Sequence, residues 1–450
     1  MLNKAVARYH ELLQDVDLAE SSRRVLADGL DQAKLIFGGR PLSPYLRPHF
    51  VTESDWARVT VICESIWSAL QKVKDAAVRD DALLTELGLT DIERELVAID
   101  PGYAQVSASA RLDSFLTSEA YSFVELNGES PAGIAYSDAA VEIFSSLPVM
   151  KKFAEEYNLR PQLGSQLLLD CLLQAHEEYL GHPPEQAPTI AIVDLKDLPT
   201  LKEFELFRDF FVRQGYPAII CSPDELVWDG TRLRVGDVVI DIVYKRLLVN
   251  EYIPIIEQYP ALVDAYRAGA ICMANSFRSK LVHKKAIFAV LTNPTYAHLF
   301  SDEELKNIAA HVPWTRKVRD EQTIHGVDPI DLLEFIKNTR NRLVLKPNDD
   351  YGGHGIYIGW NSTEEEWAAA LEHALENGDY LVQERVPTAR EEFPALMDDG
   401  TFQFSEQLVD LDPLLFNGKV GTAFTRLSSS ELANVSSGGG MVPTFIISEK

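Results

Sequence analysis

The chain has 450 residues, of which 46% are hydrophobic, and a formal net charge of −26 at pH 7. This length allows a large core and several subdomains, while the negative charge argues against nucleic acid as a partner, because binding phosphates requires a basic surface. No stretch approaches the ~20 apolar residues of a membrane helix, and the start lacks a basic-then-apolar signal segment. The four cysteines lie far apart in apolar surroundings, so we expect reduced thiols in a cytoplasmic protein.

Residues 1–103 are predicted to form a helical N-terminal region. Thr52 and Thr90 each precede an acidic residue by three positions, a spacing typical of a helix start. Between residues 62 and 73, apolar side chains recur at the spacing of a packed helix face. No chemical motif lies in this region. We therefore expect it to pack against the rest of the chain, with a lid or a homodimer surface as the alternative.

Residues 104–185 contain two strand-like segments that carry polar side chains two positions apart. One reads Arg111-Leu-Asp113 and the other Glu125-Leu-Asn127. Side chains two positions apart on a strand share a face, so Glu125 and Asn127 could ligate one ion, and Mg²⁺ prefers such oxygen ligands. An ordinary strand edge would give the same pattern. Helices are expected to come next in the chain.

Residues 186–270 are predicted to form a small α/β domain after a proline-rich linker. Strands are expected at residues 189–194, 217–222 and 238–245, with a helix at 200–214. Arg246 directly follows the last of these strands. A guanidinium group suits a substrate carboxylate because it can donate two parallel hydrogen bonds, but an internal ion pair explains such an arginine equally well.

The most informative segment is residues 342–357, where an apolar strand ends in Lys346 and a loop with two aspartates and three glycines comes after it. Glycine lets backbone N–H groups approach phosphate oxygens, and the lysine adds a positive charge. Asp350, or its rival Asp349, could ligate the Mg²⁺ that accompanies a nucleotide. The segment is not a GxxxxGK[ST] loop, and taken alone it fits a glycine-rich hairpin without a ligand equally well.

Further basic residues could complete a site for phosphates. Lys285 and its neighbour Lys284 precede an apolar helical run, and either could hold a phosphate. Arg426 follows a strand-like run and precedes a loop that contains Asn434. Arg426 could stabilise the charge of a transferred phosphoryl group, with Asn434 as a further contact. A surface salt bridge is the alternative for Arg426.

In chain order, these motifs resemble those of the circularly permuted ATP-grasp ligases, which include glutathione synthetase and glutathionylspermidine synthase. Agreement of several separate motifs in one order is hard to obtain by chance. Three similar elements come first in the chain: the Arg-x-Asp strand at Arg111, the Glu-x-Asn strand at Glu125, and the strand that leads to Arg246. The lysine-bearing helix start at Lys285 comes next, and then the strand–glycine loop–strand–helix–strand unit that ends in Gln383-Glu384-Arg385-Val386. The last element is the closing Arg426 with Asn434 and Gly438-Gly439-Gly440.

The resemblance implies an α/β (α+β) protein with a circularly permuted ATP-grasp fold that binds ATP and Mg²⁺. It also implies four segments along the chain. They are the helical N-terminal region (1–103), a permuted segment with the metal-binding strand and following helices (104–185), a small α/β pre-ATP-grasp substrate domain (186–270), and the nucleotide-binding and closing segments (271–450).

The same resemblance implies roles for individual residues. The residues implied for ATP are Lys285, Lys346, Gly352, Gly353, Tyr357, Gln383, Glu384, Arg385 and Val386; for Mg²⁺, Glu125, Asn127 and Asp350; for the substrate, Arg111, Ser130 and Arg246; and for catalysis, Arg426 and Asn434.

The implied activity is an ADP-forming ligase that joins a small-molecule or peptide carboxylate to an amine through an acylphosphate. Three departures from the family pattern leave the acid and the amine open. Asp350 stands where glutathione synthetases have Glu, Ser428 replaces a lysine, and the loop from Asn434 to Gly440 has a different sequence. An ATP-binding regulatory module without ligase activity and a small-molecule phosphotransferase are the alternatives.

Overall fold

The computed structural model describes residues 1–37, 40–350, 352–396, 402–431 and 439–450. These residues form the α-helices α1 Leu2–Leu12, α2 Val16–Gln32, α3 Glu53–Ala77, α4 Asp81–Leu87, α5 Asp91–Ala98, α6 Ile134–Ser146, α7 Pro148–Phe153, α8 Ser165–Leu180, α9 Leu201–Arg213, α10 Val249–Tyr252, α11 Ala261–Arg267, α12 Lys280–His283, α13 Ala286–Thr292, α14 Asp302–His311, α15 Leu332–Asn338 and α16 Glu364–Asn377.

The same residues form the strands β1 Ile36–Phe37, β2 Arg40–Pro41, β3 His49–Thr52, β4 Ser109–Leu116, β5 Tyr121–Asn127, β6 Tyr157–Pro161, β7 Ile190–Val193, β8 Ala218–Cys221, β9 Val227–Trp228, β10 Leu233–Val235, β11 Val238–Val239, β12 Ile242–Lys245, β13 Cys272–Ala274, β14 Thr315–Lys317, β15 Gln322–His325, β16 Asp328–Asp331, β17 Leu343–Pro347, β18 Tyr357–Ile358, β19 Tyr380–Glu384, β20 Ala389–Leu396, β21 Phe402–Phe416, β22 Lys419–Ser428, β23 Gly440–Val442 and β24 Thr444–Glu449. The chain is thus a mixed helix and sheet protein, as expected.

Strands that are far apart in the sequence form the largest sheet. Its order is β23–β22–β21–β4–β5, with antiparallel neighbours, and β20 also pairs with β21. The register sets Asp113 on β4 opposite Glu125 on β5, and Asp410 on β21 opposite Arg426 on β22. The Arg-x-Asp strand, the Glu-x-Asn strand and the closing arginine therefore belong to one sheet.

The glycine-rich segment lies at the edge of a second antiparallel sheet, of order β14–β19–β17–β18. Helix α16 packs on this sheet through Trp367, whose indole donates to the Ile336 carbonyl at 3.0 Å. The helix ends at Gly378, whose φ of +76° is a conformation that favours glycine. β19 ends at Glu384, and the N–H of the next residue, Arg385, donates to the Arg342 carbonyl at 2.7 Å, directly before β17.

The strands predicted at 189–194 and 217–222 correspond to β7 and β8, with α9 between them in the sequence, and both belong to a parallel sheet of order β13–β12–β7–β8. Helix α9 buries Phe204, Phe207 and Phe211, which recur at the spacing of one helix face. The prediction of one strand over 238–245 is wrong. Val238–Val239 instead forms a hairpin with β10 around Gly236, and only Ile242–Lys245 joins the parallel sheet.

The N-terminal region is largely helical, and Thr52 and Thr90 accept hydrogen bonds at the starts of α3 and α5, as predicted. It also contains three short strands that the sequence did not reveal, β1, β2 and β3. β3 pairs in parallel with β24 near the far end of the chain, and β24 pairs on its other side with β6. Among the described residues, no helix has the length and apolar character needed to cross a membrane.

Candidate active site

A cavity lies between the sheet that contains the glycine segment and the largest sheet. One part of its lining is apolar and the other is charged. The apolar part consists of Phe115, Val124, Val344, Ile356, Ile358, Trp360 and Val386; the charged part includes Asp113, Glu125, Lys346, Asp410 and Arg426. We call this the first cavity. Flat apolar walls that lead to converging charges suit a ligand with an aromatic end and an ionic end.

The turn between β17 and β18 closes over this cavity. Gly352 and Gly353 line the cavity. Their backbone φ angles are +70° and +80°, a region that residues other than glycine rarely adopt. Gly355 also has a positive φ, and a Cβ atom at this position would lie 2.7 Å from the Tyr380 hydroxyl. The turn therefore depends on glycine for its conformation and for its close packing.

Lys346 is buried at the floor of the first cavity. Its ammonium group donates to Gln383 Oε1 at 2.7 Å and to the Val124 carbonyl at 3.2 Å. Burial lowers the pKa of Lys346 to about 8, against a smaller opposing effect of Glu125. A buried lysine with neutral oxygen partners is arranged to meet an anion, which would compensate its charge.

The neighbouring lysines 284 and 285 point to different partners. Lys285 Nζ lies 3.5 Å from Glu125 Oε2 and donates to the Asp350 carbonyl at 2.5 Å. Lys284 Nζ instead lies 2.9 Å from Asp349 Oδ2. Lys285 thus contacts a residue of the cavity lining but is not part of the described lining itself, while Lys284 and Asp349 pair with each other outside it.

The residues implied for Mg²⁺ come together only in part. Glu125 lines the first cavity, and Asn127, two positions along the same strand, donates from Nδ2 to Asp113 at 3.0 Å. Asp350 is linked to Glu125 through Lys285. In the described residues, however, Asp350 lines neither the first cavity nor a second cavity that lies beside it. The hard oxygens of these three side chains are of the type that Mg²⁺ prefers, so the donor set fits this ion chemically.

A cluster of three buried aspartates was missed by sequence reasoning. Asp113, Asp410 and Asp412 have ligand atoms within 4.8 Å of one another. Their charges are met by guanidinium groups, because Arg426 lies 2.6 Å from Asp113 and 3.0 Å from Asp412 and also contacts Asp410, while Arg111 lies 2.8 Å from Asp113. A cation would have to displace two arginines, so this cluster does not fit a metal.

Burial also raises the pKa of Asp410 and Asp412, more strongly for Asp412. A proton held by this pair would leave two carboxylate charges against two guanidinium charges, which balances the cluster. The alternation of Asp410 and Asp412 within an apolar run was the available sequence signal, since it puts both side chains on one face of a buried strand.

A second cavity of about 470 Å³ lies beside the first. Glu125, Gly352 and Arg426 line both. The other described lining residues are Leu42, Arg111, Asn127, Ser130, Ala132, Gly133, Tyr136, Asp194, Leu198, Pro199, Thr200, Arg246, Leu248, Glu251, His283, His354 and Phe424. The residues implied for the substrate, Arg111, Ser130 and Arg246, are therefore brought together in one space that adjoins the first cavity.

Arg111 and Arg246, which line the second cavity, also have internal partners. Arg111 donates to Asp113 Oδ1 and Oδ2 at 2.8 and 3.1 Å. Arg246 donates to the Pro131 carbonyl at 2.6 Å and lies 3.5 Å from Glu203. The internal ion pair that the sequence left open for Arg246 is thus present, and Arg111 has one as well. Arg246 Nε is nevertheless buried without a hydrogen-bond partner in the described part of the chain.

Other polar groups in the second cavity were not predicted. Tyr136 Oη and His283 Nδ1 are buried and lack hydrogen-bond partners within the described residues. Burial raises the pKa of Asp194 to about 6. Asp194 directly follows β7 and Arg246 directly follows β12, and the carboxyl ends of parallel strands are where ligands of open α/β sheets bind. Unsatisfied buried groups at this edge indicate a ligand site.

The end of β19 and the residues after it line the first cavity through Gln383, Glu384, Arg385 and Val386. Arg385 lies over the Trp360 ring, with 4.2 Å from its guanidinium carbon to the ring centroid. Tyr357, which the resemblance assigned to ATP, packs instead against His373 and Tyr380. Its strand neighbours Ile356 and Ile358 line the cavity, because adjacent side chains on a strand point to opposite faces. Asn434 lies outside the described residues.

No protein-family model matches the chain. An uncharacterized protein of Synechocystis sp. is 24% identical over 350 residues, and a protein of Frankia alni provisionally named glutamate–cysteine ligase 2-3 is 25% identical over 348 residues. Each match covers 72% of this chain, but the chain spans only 65% and 36% of the length of these relatives.

The fold has a counterpart among solved structures. A glutathione synthetase-like effector from Globodera pallida, in its apoform, aligns with a TM-score of 0.61 over 97% of this chain and 99% of that chain, at 12% sequence identity. The chain therefore has the fold of a glutathione synthetase-like protein. This confirms the fold part of the resemblance, while the circular permutation stays a prediction.

Proposed function

We propose that the protein is an ATP- and Mg²⁺-dependent ligase that joins a carboxylate to an amine. The observation that carries the proposal is the meeting of two cavities at Glu125, Gly352 and Arg426. The lining of one cavity combines apolar and charged side chains, and the second contains Arg111 and Arg246 besides the shared Arg426, with buried polar neighbours. A reaction between two bound molecules requires such adjacent sites. The provisional ligase name of the Frankia relative supports this class of reaction.

In this proposal the first cavity binds ATP. The adenine ring lies among the apolar side chains near Trp360 and Val386, and the phosphates extend toward Lys346 and Lys285. The glycine turn lies over the phosphates, where its backbone N–H groups can donate. The negative phosphates compensate the buried charge of Lys346, so nucleotide binding and retention of its proton favour each other.

Glu125, Asn127 and Asp350 would hold the magnesium ion. When bound, the ion would neutralise phosphate charge in a chain whose net charge is −26. Lys285 now makes contacts with Glu125 and with the backbone of Asp350, which brings the segments that carry these ligands together.

The second cavity binds the acid, with Arg246 and Arg111 near its carboxylate. A carboxylate oxygen attacks the γ-phosphorus, the bond to the β–γ bridging oxygen breaks, and an acylphosphate and ADP form. The amine then attacks the acyl carbon, phosphate leaves, and the amine loses a proton, which gives the amide. Arg426 lines both cavities and is suited to stabilise charge in both steps.

The size of the first cavity bears on how ATP would enter it. The first cavity measures about 140 Å³, whereas cavities for ligands of nucleotide size are typically about 300 to 1,000 Å³. We therefore propose that the turn opens to admit ATP and closes on it. Closure also excludes water, which would hydrolyse an acylphosphate.

Release of ADP and phosphate, measured with pooled carboxylates and pooled amines, tests the proposal. ADP that forms only when both pools are present is the expected result. ADP formed with one pool alone would establish a phosphotransferase instead, and ATP binding without turnover would establish a binding module. Lys346→Met should abolish the release, whereas Lys337→Met, in helix α15 outside the described cavity linings, serves as the matched control.

A further inference from the structure

A network of buried charges lies beneath the two cavities. Its ammonium groups belong to Lys245, Lys280 and Lys284, and its carboxylates to Glu93, Glu129 and Asp349. All six residues are buried or nearly so, and positive and negative charges are equal in number. A buried charge requires a fixed partner, so the mutual positions of these groups are strongly restrained.

The network connects the second cavity to the glycine turn. Lys245 adjoins Arg246 in sequence, and its Nζ lies 3.4 Å from Glu129 Oε2. Glu129 adjoins Ser130, and its Oε1 lies 3.0 Å from Lys280 Nζ. Lys280 in turn lies 2.7 Å from Asp349 at the start of the glycine turn.

The first residues of the glycine turn also form hydrogen bonds with residues 280–286, where α12 ends and α13 begins. The Asn348 side chain accepts from the Ala286 N–H at 2.8 Å, and the Asn348 carbonyl accepts from the Lys285 N–H at 3.0 Å. Asp349 accepts from Lys280 and from Lys284, at 2.7 and 2.9 Å. Asn348 and Asp349 are therefore held by several contacts, and the opening proposed above would fall to the later, glycine-containing part of the turn, residues 352–355.

We infer that Glu129 is a positioning residue that, through Lys280 and Asp349, sets the place of the glycine turn over the nucleotide phosphates. The inference rests on the proposed function. Glu129 is completely buried and lines neither cavity in the described residues, so it has no contact of its own with a ligand there. It accepts from the Val249 N–H at 2.8 Å, which ties the turn to the α/β domain that contributes Arg246.

Calorimetric binding of two probes in the presence of Mg²⁺ tests this role. The non-hydrolysable analogue AMP-PNP has phosphates, and adenosine has none. Glu129→Gln should weaken AMP-PNP binding by about 2- to 30-fold, the range of couplings carried by residues without ligand contact. Adenosine binding should stay within about twofold of the wild type, because in the described part of the chain Glu129 contacts none of the apolar side chains that line the first cavity. Asp349→Asn should show the same split.

The matched control is Glu304→Gln. Glu304 is also a buried glutamate paired with a lysine, Lys72 at 2.5 Å, but it lies on α14 outside the described cavity linings. A loss of AMP-PNP affinity in Glu304→Gln as large as in Glu129→Gln would reduce the effect to general destabilisation and overturn the inference.

A double variant separates stability from positioning. Glu129→Gln with Lys280→Met removes one charge of each sign, so the remaining charges are balanced and the thermal midpoint should recover relative to Glu129→Gln. The link to Asp349 is lost, so AMP-PNP affinity should stay low. Recovery of that affinity would overturn the inference. Wild-type protein that binds no AMP-PNP would overturn the proposed function as well, whereas wild-type affinity in Glu129→Gln would overturn the inference alone.

Discussion

Burial gives Lys346 a pH-dependent effect on stability. Its pKa is lowered to about 8 from 10.5. Between these values the unfolded chain binds the proton and the folded chain loses it, so the free energy of unfolding rises with pH across this window. Below pH 8 the buried charge is destabilising. We predict that Lys346→Met is more stable than the wild type at pH 7, by up to about 3 kcal/mol, and that the difference shrinks toward pH 10.5.

Urea unfolding of both proteins at pH 7, 8.5 and 10 measures this difference. The Met variant leaves Gln383 and the Val124 carbonyl without their donor, which offsets part of the gain. A difference that stays constant with pH would show that Lys346 keeps its ordinary pKa in the folded protein. In either case the variant should bind AMP-PNP more weakly, because the phosphates lose a positive charge.

The arginines of the second cavity should respond differently from Lys346. Under the proposed function, Arg246→Lys and Arg111→Lys remove the forked geometry of a guanidinium group. We expect the KM for the acid to rise about 10- to 150-fold, from the loss of one hydrogen bond between charged groups, with little change in the KM for ATP. Steady-state kinetics that show the larger effect on ATP would remove these residues from the acid site.

Individual residues could be predicted from sequence where a short motif fixes their spacing. Glu125 and Asn127 are an example, because two positions on a strand define one face. Asp410 and Asp412 share that spacing but gave no motif, since their partners Arg111 and Arg426 come from other strands. Only the folded sheet reveals that two arginines and three aspartates neutralise one another.

At the scale of elements, strand β5 and the glycine turn act together under the proposed function. Glu125→Gln and Asp350→Asn should each raise the Mg²⁺ concentration needed for half-maximal AMP-PNP binding. The double variant should lose less than the sum of the two single losses, because both side chains act on one ion cluster. Calorimetry over a series of Mg²⁺ concentrations measures this. Glu119→Gln, an exposed acid in the turn before β5, is the control.

Strictly additive losses would place the two carboxylates on separate ions or remove one from the site. Lys285 contacts both Glu125 and the backbone of Asp350. If one ion binds between these two carboxylates, the Lys285 ammonium group would have to rotate away from Glu125.

Elements were predicted best where local signals mark their ends. Helices α3 and α5 begin at Thr52 and Thr90 because the capping hydrogen bonds involve residues three positions away. Strand β3 escaped prediction because its four residues are stabilised by pairing with β24, across almost the whole sequence. The split of the expected strand 238–245 has a similar cause, since its first residues pair locally with β10.

At the scale of the whole molecule, β24 joins the N-terminal helices to the rest of the core. Phe445 on this strand is 2% exposed and belongs to the largest apolar cluster. We predict that Phe445→Ala lowers the free energy of unfolding by about 3 to 5 kcal/mol. Urea unfolding measures this, with Phe404→Ala as the control, because Phe404 is 37% exposed and should cost much less. If Phe445→Ala lowered the free energy of unfolding as little as Phe404→Ala, the Phe445 side chain on β24 would contribute little to the core.

The strand pairing of the largest sheet also determines when, during synthesis, the two cavities can form. Strand β21 pairs with β4 but is made much later, because residues 117–401 lie between the two strands. At about 5 to 20 residues per second, the intervening segment takes roughly 15 to 60 s. During that time the apolar side chains of β4 lack their neighbours, and such exposed surface attracts chaperones or other nascent chains. The nascent chain therefore cannot acquire its cavities one at a time; both arise together, when the last strands reach β4.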